Sequence, residues 1–520
     1  MPGAPSTDHV QAPGKVWLVG AGPGDPGLIS VRGLEVLASA EVVLHDALAH
    51  PALLEVCQGA ELRNVGKRFG EPSSAQEPIN RELIALARAG KRVVRLKGGD
   101  PLLFARGAEE ALALQAAGVE FEIVPAVSSP VATAAYAGIP LTHRDFSSSV
   151  TFITGSDRAG EAWSPEAWKK LATATDTICV LMGMRRIEEI ALAIVAGGRD
   201  PATPVAVIQW GARPEQRVEV GTLGDIAVKV RAAGLKNPAV IVVGEVVRLR
   251  ERLRWYDARP LFGKRVLVPR AVEQAERSAR AIRARGAEPV LVPLIEILPP
   301  PDPAAFARGV AALATYDWVL FTSENGVERT FSVLRAEGRD ARAFGTAKVG
   351  VIGPRTADAL ARHGISADLV AEEHVGEGLA RDLLARGRPK RVLIPRALVA
   401  RDALPDLLRE AGAVVDVVAA YETKPVPPSV VLERIEAARV DVALLTSSSI
   451  ARSLVEALAP NAGERLAALT VASIGPITTQ TAAELGVRVD VAAKVHTVEG
   501  LLDALEEHFR ASALPVAREE

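Results

Sequence analysis

The sequence predicts an α/β protein built as two successive halves. Short β-rich runs alternate with helical patterns along nearly the whole chain. Several of these runs end in Gly, Asp, Ser or Pro, and the second half repeats three segments in one order. Alternation of this kind is what α/β layers with a largely parallel sheet require. A length of 520 residues has room for about three or four ordinary domains.

The first stretch that organises its surroundings is VWLVGAGPGDPGLIS, residues 16–30. Val16, Leu18 and Val19 read as a buried strand that breaks into a loop holding Gly20, Gly22, Gly24 and Pro23. Helix signals follow from Ser30 through Leu34 and Leu37. A strand ending in such a loop is where α/β sheets place ligands. The spacing is not that of a dinucleotide fingerprint, because Asp25 stands where G-x-G-x-x-G needs glycine. An acid in the turn suits a pyrophosphate poorly and favours a neutral or cationic ligand.

Further runs continue to about Val247: VVLHD (42–46), RVVRLKGGDP (92–101), FEIVPAVSS (121–129), VTFITG (150–155), TICVLMG (177–183), PVAVIQWG (204–211) and PAVIVVGEVV (238–247). A new β-rich start, KRVLVPR, stands at 264–270, and the stretch before it, with Pro260 and Gly263, reads as a linker over 257–263. KRVLVPR returns as KRVLIPR at 390–396. VLFTSENGV (319–327) is echoed by ALLTSSSIA (443–451), and VGVIGPRTADAL (349–360) by VASIGPITTQTA (471–482). Matched pieces in one order predict two related lobes. The crossings between them fall at 291–300 and 417–428. The expected limits are a disordered tail over 1–14, a first domain over 15–256 and a second over 264–511. In the second, lobe 1 takes about 264–298 plus 425–511 and lobe 2 about 300–420; residues 512–520 form a second tail.

Composition narrows the chemistry. A net charge of −2 disfavours nucleic acid or an anionic membrane as a bulk partner, so an anionic substrate must be met by local arginines. The two cysteines, Cys57 and Cys179, lie far apart in apolar segments, which suits a reducing cytoplasm. The eight histidines form no ligand cluster, so no metal is expected. No apolar run reaches membrane-spanning length, and the first fourteen residues lack the apolar stretch of a secretory signal.

The loops GAGPGDP (20–26), HDAL (45–48), GK (66–67), RLKGGDP (95–101), AYAGIPLTHR (135–144), MGM (182–184) and TPVAVIQWGARPEQR (203–217) form a specific set. On them the first half, from about Lys15 to Trp255, resembles the uroporphyrinogen-III C-methyltransferases of the tetrapyrrole methyltransferase superfamily. The resemblance implies the tetrapyrrole methylase fold of two α/β subdomains, a homodimer, and S-adenosylmethionine as donor, with S-adenosylhomocysteine left behind. It implies Pro23, Gly98, Gly99, Asp100, Leu103, Ser128, Ser129, Met182, Gly211 and Ala239 at the donor pocket. It also implies Asp46 and Lys67 as an acid/base pair, with Asp46 able to act as general base if burial raises its proton affinity. Three positions depart from the family pattern: Ala126 for a glycine, His45 for a tyrosine, and Ser156 for a histidine.

The second half, from about Lys264 to Phe509, resembles the uroporphyrinogen-III synthases through FTSENGV (321–327), IGPRTADAL (352–360), the run 393–423, LLTSSSI (444–450), SIGPITTQTAAELG (473–486) and HTVEGLLDAL (496–505). It implies a two-lobed α/β fold that closes hydroxymethylbilane into uroporphyrinogen III. Backbone amides and hydroxyls at helix starts, at Thr322, Ser323, Ser447, Ser448 and Thr478, can grip the substrate's carboxylates. Arg270, Arg396 and Arg401 are candidate ion-pairing donors, and Tyr421 is a candidate acid for the leaving hydroxyl. Together the halves read as a cytoplasmic bifunctional enzyme on the way to siroheme or cobalamin, acting on tetrapyrroles. The alternatives are a methyltransferase acting on another precorrin and a non-catalytic tetrapyrrole-binding second half.

Overall fold

The computed structural model describes residues 14–54, 56–57, 59–66, 76–155, 163–269 and 272–513. The chain divides into two compact units, Met1–Lys264 with Arg283–Glu288, and Arg265–Ile282 with Pro289–Glu520.

The first unit holds two five-stranded sheets. One is formed by β1 (Lys15–Gly20), β2 (Val42–His45), β3 (Glu61–Asn64), β4 (Arg92–Lys97) and β5 (Glu120–Val124), in the order β3-β2-β4-β1-β5. Every pair in it is parallel. Both faces are covered. Val16 and Leu18 pack with Leu83 and Leu114 in one cluster, while Val19 packs with Val36 and Leu37 in another. A sheet covered on both faces explains why its strands read as near-continuous apolar runs.

The second sheet comprises β6 (Val150–Thr154), β7 (Thr177–Leu181), β8 (Pro204–Gln209), β9 (Arg217–Thr222) and β10 (Ala239–Val243), in the order β6-β7-β10-β8-β9. Here the parallel expectation is corrected: β6 and β7 are parallel, but β10 runs antiparallel to both β7 and β8, and β9 antiparallel to β8. For the β8–β9 pair the cause is connection length. The short turn 210–216 between β8 and β9 cannot make the crossover that a parallel pair needs. The stretch that reads as a linker is packed rather than free. Tyr256 sits edge to face with both Tyr136 and Phe262.

The second unit also holds two sheets. Its strands are β11 (Arg265–Val268), β12 (Glu288–Leu291), β13 (Ile295–Leu298), β14 (Trp318–Phe321), β15 (Lys348–Val351), β16 (Leu369–Val370), β17 (Arg391–Ala397), β18 (Val414–Pro425), β19 (Val442–Leu445), β20 (Thr470–Ser473) and β21 (Val491–Ala492). The orders are β12-β11-β19-β20-β21 and β13-β18-β17-β14-β15-β16. The repeated segments take matching places. β11, β19, β20 and β21 follow one another across the first sheet as β17, β14, β15 and β16 do across the second. The segments expected to cross between the lobes pair with each other: β13 lies antiparallel to the end of β18, from Ile295 opposite Pro425 to Leu298 opposite Glu422. Each sheet has its own apolar core, one around Leu267, Leu445 and Leu454, the other around Phe321, Val327 and Leu393. No helix among the described residues is long and apolar enough to cross a membrane.

In the first unit the loop after β1 is seated against the loop after β4. A Cβ on Gly20 would stand 2.6 Å from the Ala126 Cβ and 2.7 Å from the Gly99 carbonyl oxygen. The neighbour is backbone and cannot swing away. Gly20→Ala is therefore expected to cost about 1–3 kcal/mol, read as a lower urea midpoint for the full chain.

Candidate functional site

In an all-parallel sheet every strand ends at the same edge, so the loops there are brought together whatever their separation in sequence. The order β2-β4-β1-β5 sets Asp46, the loop 98–103, Pro23 and the pair Ser128–Ser129 side by side. The β1 and β4 loops are joined by reciprocal backbone hydrogen bonds, Gly22 N to Gly99 O at 3.2 Å and Gly99 N to Gly22 O at 2.9 Å. Both glycines have left-handed φ, +73° and +69°, which side chains rarely tolerate. Ser128 precedes the helix Ser129–Tyr136, whose first turn carries Pro130.

The second sheet supplies Met182, Gly211 and Ala239. Met182 follows β7, Gly211 follows β8, and Ala239 opens β10. Because β10 is antiparallel to both neighbours, its start lies beside their ends: Val240 stands opposite Leu181 and Ala239 opposite Gln209. The two edges meet. A Cβ on Gly24 would stand 2.7 Å from Arg213 Cγ and 2.9 Å from the Gly211 oxygen, and Arg213 Nη2 donates to the Leu48 carbonyl at 2.6 Å. All ten expected donor-pocket residues thus lie along two adjoining edges.

Backbone strain collects there too. Phe104, Arg106, Met182, Trp210 and Ala212 have φ between +51° and +62°, a conformation that costs non-glycine residues about 1–3 kcal/mol each. Met182 is 61 % exposed. Burial holds the Arg213 guanidinium below its ordinary proton affinity and pushes His50 down to about 4, with Arg213 adding to the shift at His50.

Two carboxylates differ from the sequence reading. Asp25, taken as facing a cationic ligand, is turned inward: its oxygens accept from Gly27 N at 2.7 Å and from the Tyr136 hydroxyl at 2.7 Å. Asp100, expected at the donor pocket, has its carboxylate engaged by the chain itself and accepts from the amides of Leu102 (2.8 Å), Leu103 (3.2 Å) and Ala126 (3.3 Å). It shapes the loop that carries Leu103 and ties it to the β5 loop.

Asp46 is partly exposed at the end of β2. Its Oδ1 accepts from Arg95 Nη2 at 2.5 Å, and its Oδ2 from Gly98 N at 3.4 Å. Behind it lies a buried cluster that sequence reasoning missed. Arg95 and Lys97 project from the same face of β4, as the two-residue period of a strand requires, and both meet Glu110. Burial and the neighbouring Arg95 charge hold the Lys97 ammonium below its usual value. The signal was two cations at i and i+2 within an apolar strand. Lys67 and Ser156 lie outside the described residues. His45 Nδ1 lies 3.2 Å from the Asp46 carbonyl oxygen.

In the second unit the repeat places hydroxyls at equivalent helix starts. Ser323 caps the helix Glu324–Ala336 by accepting from Gly326 N at 3.2 Å, and Ser447 caps Ser448–Ala457 by accepting from Ile450 N at 3.2 Å. The Ser323 hydroxyl also lies 3.0 Å from that of Tyr421. Tyr421 is buried in the core of its sheet, with only its hydroxyl reaching the helix start. Thr481 Oγ1 donates to Ser448 Oγ at 2.9 Å, Thr478 is buried, and Thr322 is half-buried.

Arg396 differs from its expected role as a substrate donor. Its Nη1 donates to the Arg401 carbonyl at 2.7 Å and its Nη2 pairs with Asp402, so it fastens the loop after β17. Arg401 has an exposed side chain on that loop, and Arg270 lies outside the described residues. The sequence reading also missed a symmetric pair. His374 and His496 each cover the glycine that precedes an equivalent helix; a Cβ on Gly353 would meet His374 at 3.3 Å, and one on Gly475 would meet His496 at 2.9 Å. Among the described residues no group of three or more His, Cys, Asp or Glu is placed to hold a metal ion.

Comparison with known proteins agrees with this two-part layout. The family profile of tetrapyrrole (corrin/porphyrin) methylases matches residues 15–227, and that of uroporphyrinogen-III synthase HemD matches residues 276–503. A porphyrin biosynthesis protein HemD of Ruminiclostridium josui is 36% identical over 498 residues, covering 95% of this chain and 98% of that protein. A uroporphyrinogen-III C-methyltransferase of Sinorhizobium sp is 48% identical over 246 residues, covering 47% of this chain and 88% of that one. The crystal structure of uroporphyrin-III-C-methyltransferase from Thermus thermophilus has 41% identity and a TM-score of 0.40, covering 47% of this chain and 98% of that one. With matching order in both halves and a relative alike over almost its full length, the chain belongs to the HemD porphyrin biosynthesis family, a tetrapyrrole methylase followed by a uroporphyrinogen-III synthase.

Proposed function

We propose that the second unit closes hydroxymethylbilane to uroporphyrinogen III and that the first methylates this product at C-2 and C-7 to give precorrin-2. The donor in this reading is S-adenosylmethionine, and the protein works in the cytoplasm as a homodimer through its methyltransferase half. The observation that carries the reading is the convergence of Asp46, the 98–103 loop, Met182, Gly211 and Ala239 on two adjoining sheet edges.

The residues present suit such a donor. Gly98 is open, with only the Leu48 Cβ within 3.6 Å of a built Cβ, and the exposed Met182, Leu102 and Val127 offer apolar surface. Pro23, Gly98, Gly99, Leu103, Ser128, Ser129, Met182, Gly211 and Ala239 would hold the donor, and Asp100 would fix the loop beneath it. When bound, the donor supplies an electrophilic methyl carbon. The chain's part is to hold a pyrrole carbon in line with it and to accept the proton that the ring loses. Asp46 takes that proton, held in place by Arg95, with Lys67 as its partner.

In the second unit the leaving hydroxyl of the bilane needs a proton. Tyr421 supplies it while the neighbouring Ser323 orients the phenol. Helix-start amides and hydroxyls at Thr322, Ser323, Ser447, Ser448 and Thr478, with Arg270 and Arg401, grip carboxylates so that the bilane folds into one geometry. Arg396 acts indirectly, by shaping the loop that presents Arg401.

Incubating the purified protein with hydroxymethylbilane and S-adenosylmethionine should yield a dimethylated tetrapyrrole, identified by mass and methylation position. A monomethylated product, or uroporphyrinogen I alone, would defeat the reading. Asp46→Ala is expected to lower turnover of the methylation step at least about 100-fold while donor affinity changes by less than about threefold. Unchanged turnover would remove Asp46 from the chemistry. Tyr421→Phe should slow cyclisation at least about tenfold; a wild-type rate would exclude the phenol as the acid.

A further inference from the structure

The charges behind Asp46 are arranged unlike an incidental ion pair. Glu110 is fully buried on the helix Gly107–Ala116, and three donors converge on its Oε1: Arg95 Nε at 3.1 Å, Lys97 Nζ at 2.9 Å and Gln76 Nε2 at 2.9 Å. Its second oxygen, Oε2, is buried and has no hydrogen-bond partner among the described residues. Lys97 and Arg95 are 2 % and 3 % exposed. Arg95 is gripped at both ends: Nε by Glu110, Nη1 by the carbonyls of Leu44 and Leu96 at 3.4 and 3.1 Å, and Nη2 by Asp46. The cluster holds two cations and one anion in the interior, Arg95, Lys97 and Glu110, with the partly exposed Asp46 at its rim, and removing a buried member leaves an uncompensated charge.

We propose that Glu110, with its charge offset by Lys97, is a positioning residue that fixes Asp46 through Arg95. The inference rests on the reading of Asp46 as the proton acceptor in methylation. Glu110 sets the orientation of the guanidinium, and the guanidinium sets the carboxylate that faces the substrate. Lys97 keeps the four-charge group neutral, so the field felt by Asp46 depends on a residue three contacts away. Among the described residues, the other titratable groups near this cluster include Arg106 and Glu109, paired with each other at 2.6 Å, and His45, whose Nδ1 lies 3.2 Å from the Asp46 carbonyl oxygen. The flanking helix Gln76–Arg88 contributes the neutral amide of Gln76 to Glu110.

The arrangement yields a signed test on the full-length protein. Glu110→Gln keeps the shape and an acceptor for Arg95 but leaves surplus positive charge beside Asp46. Lys97→Met does the reverse. Each single variant should lower methylation kcat about tenfold, with the KM for S-adenosylmethionine within about twofold. The acid limb of the kcat profile should move to lower pH in Glu110→Gln and to higher pH in Lys97→Met, by about half a unit or more. The double variant Glu110→Gln/Lys97→Met is charge-balanced and should recover most of the lost kcat. It also serves if a single variant fails to fold.

Limbs that do not move, wild-type kcat in both single variants, or a double variant as slow as the sum of its parts would each overturn the inference. Asp46→Ala, assayed in parallel, separates the two levels. If it retains wild-type turnover, the reading of Asp46 falls. If it is inactive while Glu110→Gln is unaffected, the positioning role of Glu110 alone falls.

Discussion

Two hydrogen bonds between Gly22 and Gly99 hold the first unit's site together. They join the loop that leaves β1 to the loop that leaves β4, and each needs a backbone conformation that glycine supplies without penalty. Around this clasp the other contacts follow. Asp100 ties its own loop to Ala126, Gly20 packs against the same residue, and Gly24 seats the β1 loop on the turn that carries Gly211 and Arg213. The clasp therefore links the parallel sheet to the mixed one at the place where their strand ends meet.

The charged residues of these loops serve two different purposes. Asp25, Asp100 and Arg396 are spent on the protein's own backbone and side chains, and they act by shaping loops. Asp46 keeps one side toward solvent and the other toward Arg95. The avoidance of phosphate that the Asp25 position suggested does not come from a carboxylate pointed at the ligand. What the loop offers a ligand is glycine backbone and exposed apolar side chains such as Met182 and Leu102. The layer behind Asp46 buries charge as well, and each ion there has a counter-ion within hydrogen-bonding distance.

The second unit is organised by duplication. Matching strands carry the repeated segments, and the capping serines Ser323 and Ser447 occupy equivalent turns. The histidines His374 and His496 obey the same symmetry. Tyr421 breaks it. It lies on the long strand β18, whose far end pairs with β13, and its hydroxyl lies 3.0 Å from that of Ser323.

The sequence by itself determined the alternation of strands and helices, the glycine loops, the repeat and its order, because apolar period, turn chemistry and duplicated segments are local properties of the chain. Through the resemblance of its loop motifs to the tetrapyrrole methyltransferases it also pointed to the loop residues that lie along the two edges of the first unit. Only the tertiary structure decided which charged side chains face outward. Asp25 and Asp46 look alike in sequence, each an acid just past a strand, yet one is captured by Tyr136 and the other is held by Arg95. The antiparallel course of β10 and the partnership of Arg95, Lys97 and Glu110 were likewise settled by packing. Hydrogen-bond partners distant in sequence are chosen by the space that the folded chain leaves, and no local pattern records that choice.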